Sequence, residues 1–247
     1  MKLVQYLEEI VQFLRKYLED AKAKTYILGL SGGLDSSVCA ALAKKAVGKD
    51  RLLGVIIPIN SMEEDALYAR KLCRELDINY LVYDGTEVFN EFKKQALVAG
   101  LSLDKVNLGN LKARIRMAVL YAVSQEKHGL VIGTDNAAER YTGYFTKYGD
   151  GACDLLPIAH LLKSEVVAAA KMLNIPSEII KRVPSACLFE GQTDENEMGV
   201  TYKDLDAYLL GKPVDEKVKD RIEHLHKISR HKVEAIPMAK PFEREEE

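Results

Sequence analysis

Residues 26–36 read YILGLSGGLDS, an apolar run that ends in a serine and two glycines. The run from Tyr26 to Leu30 has the length and composition of a buried β-strand. The stretch from Ser36 to Ala46 is rich in alanine and favours a helix. This segment therefore predicts a strand, a tight glycine loop and a helix in direct succession.

The same alternation extends along the whole chain. An amphipathic helix is predicted within residues 1–20, because apolar side chains recur there at helical spacing. Further strands are predicted at 52–58, 80–83 and 130–132, and further helices at 61–76, 87–98, 108–125, 164–173, 202–210 and 215–230. We expect an α/β fold with a single domain over residues 1–247. In it a doubly wound, mostly parallel sheet is flanked by helices and followed by C-terminal helices.

Two segments lack such a periodic pattern. Residues 187–197 are predicted to form a mobile loop, because they are charged and irregular. The acidic end of the chain, residues 243–247, is predicted to be a disordered tail.

Composition narrows the range of partners. The chain has 247 residues, a formal net charge of -2 and no basic excess with which to bind nucleic acid or an anionic membrane. Its four cysteines are far apart and have no metal-binding spacing, which indicates a reducing compartment. The N-terminus lacks a signal-peptide pattern, and no apolar run reaches membrane-spanning length. We therefore expect a cytoplasmic protein.

The loop at residues 31–36 has the features of an anion site. It follows a strand and opens a helix, where backbone N–H groups and the helix dipole attract negative charge. Gly32 and Gly33 let the backbone approach a phosphate closely, and Ser31 and Ser36 add hydroxyl donors. The glycine spacing and the absence of a following lysine exclude both the dinucleotide fingerprint and the P-loop.

Asp35 stands where a P-loop has its lysine. A carboxylate beside a phosphate repels the nucleotide unless a divalent cation lies between them, and Mg²⁺ is the expected cofactor. The alternative is a strand-to-helix turn that uses Ser-Gly-Gly for its geometry, with Asp35 simply at a helix N-terminus.

The loop resembles the S-G-G-x-D-S motif of the N-type ATP pyrophosphatases, which split ATP between the α and β phosphates. The ordered polar string at 133–157, together with that loop, resembles the ammonia-dependent NAD synthetases. The resemblance implies ATP-dependent amidation of deamido-NAD by ammonia through an acyl-adenylate, which yields NAD, AMP and pyrophosphate. It also implies a homodimer, which we expect to form through the first helix and the long helix that begins near Leu108.

The resemblance assigns roles residue by residue. The expected catalytic residues are Asp35, Glu139 and Lys163, and the expected ligands of Mg²⁺ are Asp35 and Glu139. The expected ATP-binding residues are Gly29, Leu30, Ser31, Gly32, Gly33, Leu34, Asp35, Ser36, Thr134, Lys163 and Ser185. The expected deamido-NAD-binding residues are Arg114, Lys147, Asp154, His231 and Lys232.

Several alternatives remain open for individual residues. Arg116 competes with Arg114 for the substrate, although the two point to different faces of a helix. Lys163 is equally compatible with a surface position, and His231 with a solvated helix end. For the whole chain, the alternatives are a tRNA-modifying or nucleotide-amidating ATP pyrophosphatase, a non-catalytic adenine-nucleotide-binding module, and an electron-transfer flavoprotein-like domain.

Overall fold

The computed structural model of the protein describes residues 2–60, 63–185, 188 and 191–242. Within these residues the strands are β1 (Thr25–Gly29), β2 (Leu52–Ile56), β3 (Asn79–Val82) and β4 (Gly129–Ile132). The helices are α1 (Leu3–Asp20), α2 (Leu34–Val47), α3 (Glu63–Glu75), α4 (Thr86–Val98), α5 (Lys105–Lys127), α6 (Ala137–Thr142), α7 (Lys163–Met172), α8 (Ser177–Ile180), α9 (Asp194–Met198), α10 (Tyr202–Leu209) and α11 (Glu216–Ser229), with 3₁₀ turns at Lys49–Arg51 and Arg230–Lys232.

The four strands form one parallel sheet in the order β3-β2-β1-β4. In the register of the sheet, Ile27 lies beside Leu53 on one side and Val131 on the other. The chain winds from β1 outward to β3 and then returns to the opposite side of β1 to form β4. The carboxyl ends of β1 and β4 therefore flank a topological switch point, the usual ligand site in such sheets.

Side chains that alternate along β1 fill two different cores. Tyr26 and Leu28 face the core that α1, α2 and α7 cover, whereas Ile27 faces the core formed with α5. A third apolar cluster, in which Leu205 and Ile222 are fully buried, joins α6, α10 and α11. The predicted α/β fold with helices on both faces is confirmed, and all four described strands are parallel.

Most predicted elements lie within one to three residues of the observed ones. The long helix starts at Lys105 rather than Leu108, because Asp104 caps it by accepting a hydrogen bond from the Asn107 N–H. Of the predicted mobile loop at 187–197, residues 187, 189 and 190 lie outside the described residues, and Asp194 is buried at the start of α9 rather than part of a loop. The predicted tail at 243–247 lies outside the described residues. None of the described helices is long and apolar enough to cross a membrane.

We expect Leu14→Ala to lower the free energy of unfolding by about 2–5 kcal/mol, because Leu14 of α1 is fully buried in the first core. The matched control is Leu67→Ala on α3, where the leucine is 58% exposed and the expected change is within about 0.5 kcal/mol. Urea denaturation curves measure both. Equal, small losses would mean that α1 is not part of the folded core.

Candidate active site

A cavity of about 560 Å³ lies beyond the carboxyl ends of β1 and β4. Its lining joins the glycine loop, the start of α6, the start of α7 and the segment at 182–185. Of the residues predicted to bind ATP or metal, it contains Gly29, Leu30, Ser31, Gly33, Leu34, Asp35, Ser36, Thr134, Glu139, Lys163 and Ser185. The fold thus brings residues that are up to 156 positions apart in sequence into one space.

The glycine loop has the geometry that an anion site requires. Gly32 has a φ of 76°, and a Cβ added there would lie 2.5 Å from the Asp65 carbonyl oxygen. The Gly33 N–H donates to Ser31 Oγ at 3.2 Å, and Ser36 Oγ lies 3.1 Å from Ser31 Oγ. Since Gly33 has no side chain with which to cap α2, the first N–H groups of that helix remain available to a phosphate.

Two carboxylates and an ammonium in the cavity lining lie close together. Lys163 Nζ donates to Asp35 Oδ2 at 2.6 Å and lies 3.7 Å from Glu139 Oε1. Asn136 Nδ2 donates to the other oxygen of Asp35 at 3.0 Å. All three charged side chains are largely buried, so their interaction is weakly screened by solvent.

Helix caps position the two charged neighbours of Asp35, which are Glu139 and Lys163. Asn136 caps α6, and its own N–H donates to Glu139 Oε2 at 3.0 Å in a capping box. Asp206 of α10 caps α7 by accepting from the Lys163 and Ser164 N–H groups at 3.1 and 2.9 Å. The backbone of both residues is therefore fixed at the helix terminus that faces the cavity.

A tyrosine links the site to α9. The Tyr202 hydroxyl lies 3.1 Å from Glu139 Oε1 and 2.9 Å from Asp194 Oδ2. One hydroxyl has a single proton, so it can donate to only one of these carboxylates at a time. Asp194 Oδ1 is buried and accepts no hydrogen bond from the described part of the chain.

Burial perturbs the titration of these groups. Desolvation, reinforced by the Asp35 carboxylate, raises the pKa of Glu139 to about 7. Desolvation also raises the pKa of Asp194. Burial by itself would lower the pKa of Lys163, but the Asp35 and Glu139 carboxylates outweigh it and the pKa is raised. Lys163 is therefore a fixed positive charge at neutral pH.

The donor set fits a hard cation that completes its coordination elsewhere. Mg²⁺ commonly takes one or two protein carboxylates and fills its other positions with water and substrate phosphates. Asp35 and Glu139 offer such oxygens, and the orphaned Asp194 Oδ1 is a further buried oxygen nearby. Among the described residues, no group of three or more His, Cys, Asp or Glu side chains is arranged to hold a metal without such help.

The residues predicted to hold deamido-NAD lie in three places. Lys232 lines the cavity and donates to the Gly143 and Phe145 carbonyl groups at 2.6 and 2.7 Å. Arg114 donates to the Lys147 carbonyl at 3.3 Å, and Lys147 Nζ donates to the His231 carbonyl. Arg114, Lys147 and His231 lie outside the cavity lining and are linked through the backbone carbonyl groups of Lys147 and His231.

Asp154 lies outside the cavity lining as well, beside Val131 in the second half of β4. Its Oδ2 accepts from the Val131 N–H at 2.7 Å, and its Oδ1 accepts from the Tyr121 hydroxyl at 3.3 Å. Tyr121 and Arg114 are seven positions apart on α5, so they lie on one face of that helix, about 10 Å apart along its axis.

Sequence reasoning missed several residues of the site. Asn136 and Glu139 carry a recognisable capping-box spacing, which was a usable signal for Asn136. Tyr202 and Asp194 gave no such signal, because they reach Glu139 only through the packing of α9 and α10. Arg182, which lines the cavity, likewise has no local pattern around it.

Comparison with known proteins finds relatives over nearly the whole chain. The model of the NAD synthase family matches residues 6–239. An NH(3)-dependent NAD(+) synthetase of Mesoplasma florum is 45% identical over 99% of this chain and 100% of its own length. Among solved structures, an NMN synthetase from Francisella tularensis has a TM-score of 0.92 and 38% identity, covering 97% of this chain and 99% of its own. An NH3-dependent NAD synthetase from Campylobacter jejuni has a TM-score of 0.81 and 30% identity, covering 97% and 100%.

The raised pKa of Glu139 predicts a pH-dependent stability. Its folded-state pKa of about 7 exceeds the ordinary value of 4.5, so the folded protein binds the extra proton between these values. The free energy of unfolding therefore loses this contribution as pH rises from about 4.5 to 7. We expect Glu139→Gln to remove it and to flatten the pH profile in metal-free protein.

Urea denaturation of both proteins at several pH values measures the effect. The matched control is Glu223→Gln. The Glu223 side chain is exposed, and its carboxylate accepts a hydrogen bond from the Tyr208 hydroxyl at the surface. Parallel profiles for wild type and Glu139→Gln would contradict the assignment.

Proposed function

The chain belongs to the NAD synthase family, and from that premise we propose that it amidates the nicotinate carboxylate of deamido-NAD, with ATP and ammonia as co-substrates. The observation that supports this most is the Asp35–Lys163–Glu139 arrangement beside an open anion-binding loop. That combination suits the cleavage of ATP next to a carboxylate substrate.

The chemistry explains why ATP is needed. A carboxylate is anionic and would have to expel oxide, so it resists attack by ammonia. In the proposed first step a carboxylate oxygen of nicotinate attacks the α-phosphorus, the bond to the bridging oxygen breaks, and pyrophosphate leaves. In the second step ammonia attacks the acyl carbon of the adenylate, the bond to AMP breaks, and one proton is lost. The products are NAD, AMP and pyrophosphate.

The chain's own residues supply charge and position. The N–H groups at the start of α2 face the departing pyrophosphate, and the Lys163 ammonium offsets phosphate charge in a largely buried site. Thr134 and Ser185 line the same cavity, and their hydroxyl groups are proposed to contact the nucleotide, for which Ser185 Oγ would exchange the hydrogen bond that it donates to the Gln192 carbonyl. Asp35 and Glu139 would hold Mg²⁺, which supplies electrophilic stabilisation of the phosphate oxygens when bound.

The dinucleotide is proposed to extend from the cavity across α5. Lys232 marks the cavity end, and the charged side chains of Arg114 and Lys147 lie outside it, where Lys147 bonds to the His231 backbone carbonyl. A pyrophosphate bridge between two nucleosides would find positive charge there. These charges support the predicted substrate residues, whose contacts with the dinucleotide remain a prediction.

A mononucleotide is the second candidate acceptor. The Francisella tularensis structure is an NMN synthetase and superimposes with a TM-score of 0.92. Nicotinate mononucleotide presents the same reacting carboxylate and lacks the adenylate half. The residues outside the cavity, such as Arg114, would then have no substrate to bind.

The free cysteines and one exposed surface bear on the proposed location and homodimer. Cys39, Cys73 and Cys153 are free thiols, which agrees with the proposed cytoplasmic location. For the homodimer, we propose the surface where α1 meets Asp154. Phe13 and Tyr17 are exposed there with ring centroids 5.7 Å apart, and Tyr17 and Tyr121 both donate to Asp154.

The direct test of the function mixes pure protein with Mg-ATP, ammonium and either deamido-NAD or nicotinate mononucleotide. We expect equimolar NAD, AMP and pyrophosphate from deamido-NAD, measured by chromatography, and a lower kcat/KM for the mononucleotide. Asp35→Asn should lower kcat/KM by on the order of 10²-fold or more, because a preorganised charge at the reacting phosphate is lost.

The matched control is Asp77→Asn, whose carboxylate pairs with Lys49 on the surface and should leave turnover unchanged. A higher kcat/KM for the mononucleotide would favour the second candidate. ATP cleavage without amide formation from either acceptor would refute both.

The dimer surface predicts that Phe13→Glu dissociates the protein, because it places a charge in an apolar contact. Phe92→Glu on α4 is the matched control, since that phenylalanine is similarly exposed on a different face. Sedimentation velocity measures both. A monomeric wild type, or a dimer broken by Phe92→Glu and not by Phe13→Glu, would show that this surface is not the interface.

A further inference from the structure

Arg182 lies between the glycine loop and α3. Its Nη1 donates to the Gly32 carbonyl at 2.9 Å, and its Nη2 donates to Asp65 Oδ1 at 2.5 Å. The guanidinium also stacks over the Tyr68 ring, 4.8 Å from the centroid. One side chain therefore ties the apex of the loop to the first turns of α3.

This hydrogen bond holds the carbonyl group of the Gly32–Gly33 peptide. A trans peptide directs its C=O and N–H to opposite sides. The orientation of the Gly32–Gly33 peptide is therefore fixed only when both groups are hydrogen-bonded. Arg182 holds the Gly32 carbonyl, and Ser31 Oγ holds the Gly33 N–H at 3.2 Å. Glycine has more backbone freedom than any other residue, so hydrogen bonds to both the C=O and the N–H restrict the conformation of this peptide strongly.

The orientation of the Gly32–Gly33 peptide affects the N–H groups that are proposed to bind an anion. Leu34 and Asp35 follow the fixed plane directly, line the cavity, and begin α2 with N–H groups that have no partner within the helix. Their direction depends on the orientation of the preceding peptide. Preorganised donors stabilise a phosphate more than donors that must first be ordered.

We propose that Arg182 is a positioning residue for ATP, which acts by holding the Gly32–Gly33 peptide in its phosphate-binding orientation. Its charge is shared with Asp65, and both side chains are largely buried. The role thus depends on the two-pronged bridge rather than on positive charge alone. The proposal rests on the proposed function, because it takes ATP as the ligand of the loop.

Titration calorimetry of Mg-ATP onto the full-length protein, without the acceptor, tests the proposal. We expect Arg182→Met to weaken ATP binding about tenfold or more, as loss of a charge-assisted hydrogen bond does. Arg182→Lys should weaken it as well, because an ammonium lacks the fork that reaches both Gly32 and Asp65. Steady-state assays should then show a raised KM for ATP and an unchanged KM for the acceptor.

Asp65→Asn separates positioning from direct phosphate contact. If Arg182 positions the loop, loss of its partner weakens ATP binding, and the double variant Arg182→Met/Asp65→Asn is no weaker than Arg182→Met. If Arg182 instead contacts the phosphates directly, freeing it from Asp65 strengthens binding or leaves it unchanged. The latter result would overturn the proposal.

Lys71→Met is the matched control, since Lys71 forms an ion pair with Glu178 that also joins α3 to α8 but does not reach the loop. It should bind ATP like wild type. An equal loss in Lys71→Met, or wild-type affinity in Arg182→Met, would overturn the proposal while leaving the proposed function intact. A wild type that does not bind ATP would overturn both.

Discussion

The Lys163 ammonium stands between two buried carboxylates, and the arrangement of the cavity depends on this contact. Asp35 and Glu139 come from different helices and would repel each other across a site with little solvent. A single positive charge in hydrogen-bond contact with one and close to the other makes their proximity tolerable. The same three charges suit phosphate chemistry, in which a cation and a lysine share the negative charge of the nucleotide.

The fold explains how these three side chains converge. The winding order places β1 and β4 side by side, so the helices that follow them begin at the same edge of the sheet. Asp35 is in the first turn of α2, and Glu139 is in the first turn of α6. Lys163 begins α7, whose N-terminus Asp206 caps from α10. All three helices therefore begin at one cavity. Side chains cap the starts of α6 and α7, whereas the start of α2 has no side-chain cap and can attract an anionic ligand through its N–H groups and dipole.

The order of strands and helices along the chain and the position of the glycine loop were predictable from local sequence patterns, because the strands and the loop are short, regular and bounded by clear breaks in composition. The loop and its Asp35 could be assigned an anion and a metal by elementary electrostatics. Glu139 and Lys163 entered only by resemblance to a family, since nothing near either residue in sequence indicates that they meet Asp35.

Contacts that depend on long-range packing could not be predicted from local sequence patterns. Tyr202 and Asp194 lie more than 50 positions from Glu139, and their approach depends on how α9 and α10 pack on α6. Arg182 is in an irregular segment, where no periodicity indicates a direction. The separation of Arg114 and Asp154 from the cavity is likewise a property of the assembled fold, because it depends on the position of α5 against the sheet.

The most direct test of the electrostatic account is a double-mutant cycle on the free energy of unfolding, with Lys163→Met, Asp35→Asn and the double variant. Lys163→Met alone should cost about 3–5 kcal/mol, because it leaves two buried carboxylates without their partner. Asp35→Asn should then cost less in that background than in wild type, or even stabilise it, with a coupling of about 0.5–3 kcal/mol. If the two costs add within about 0.5 kcal/mol, the ammonium and the carboxylate act independently and the account is wrong.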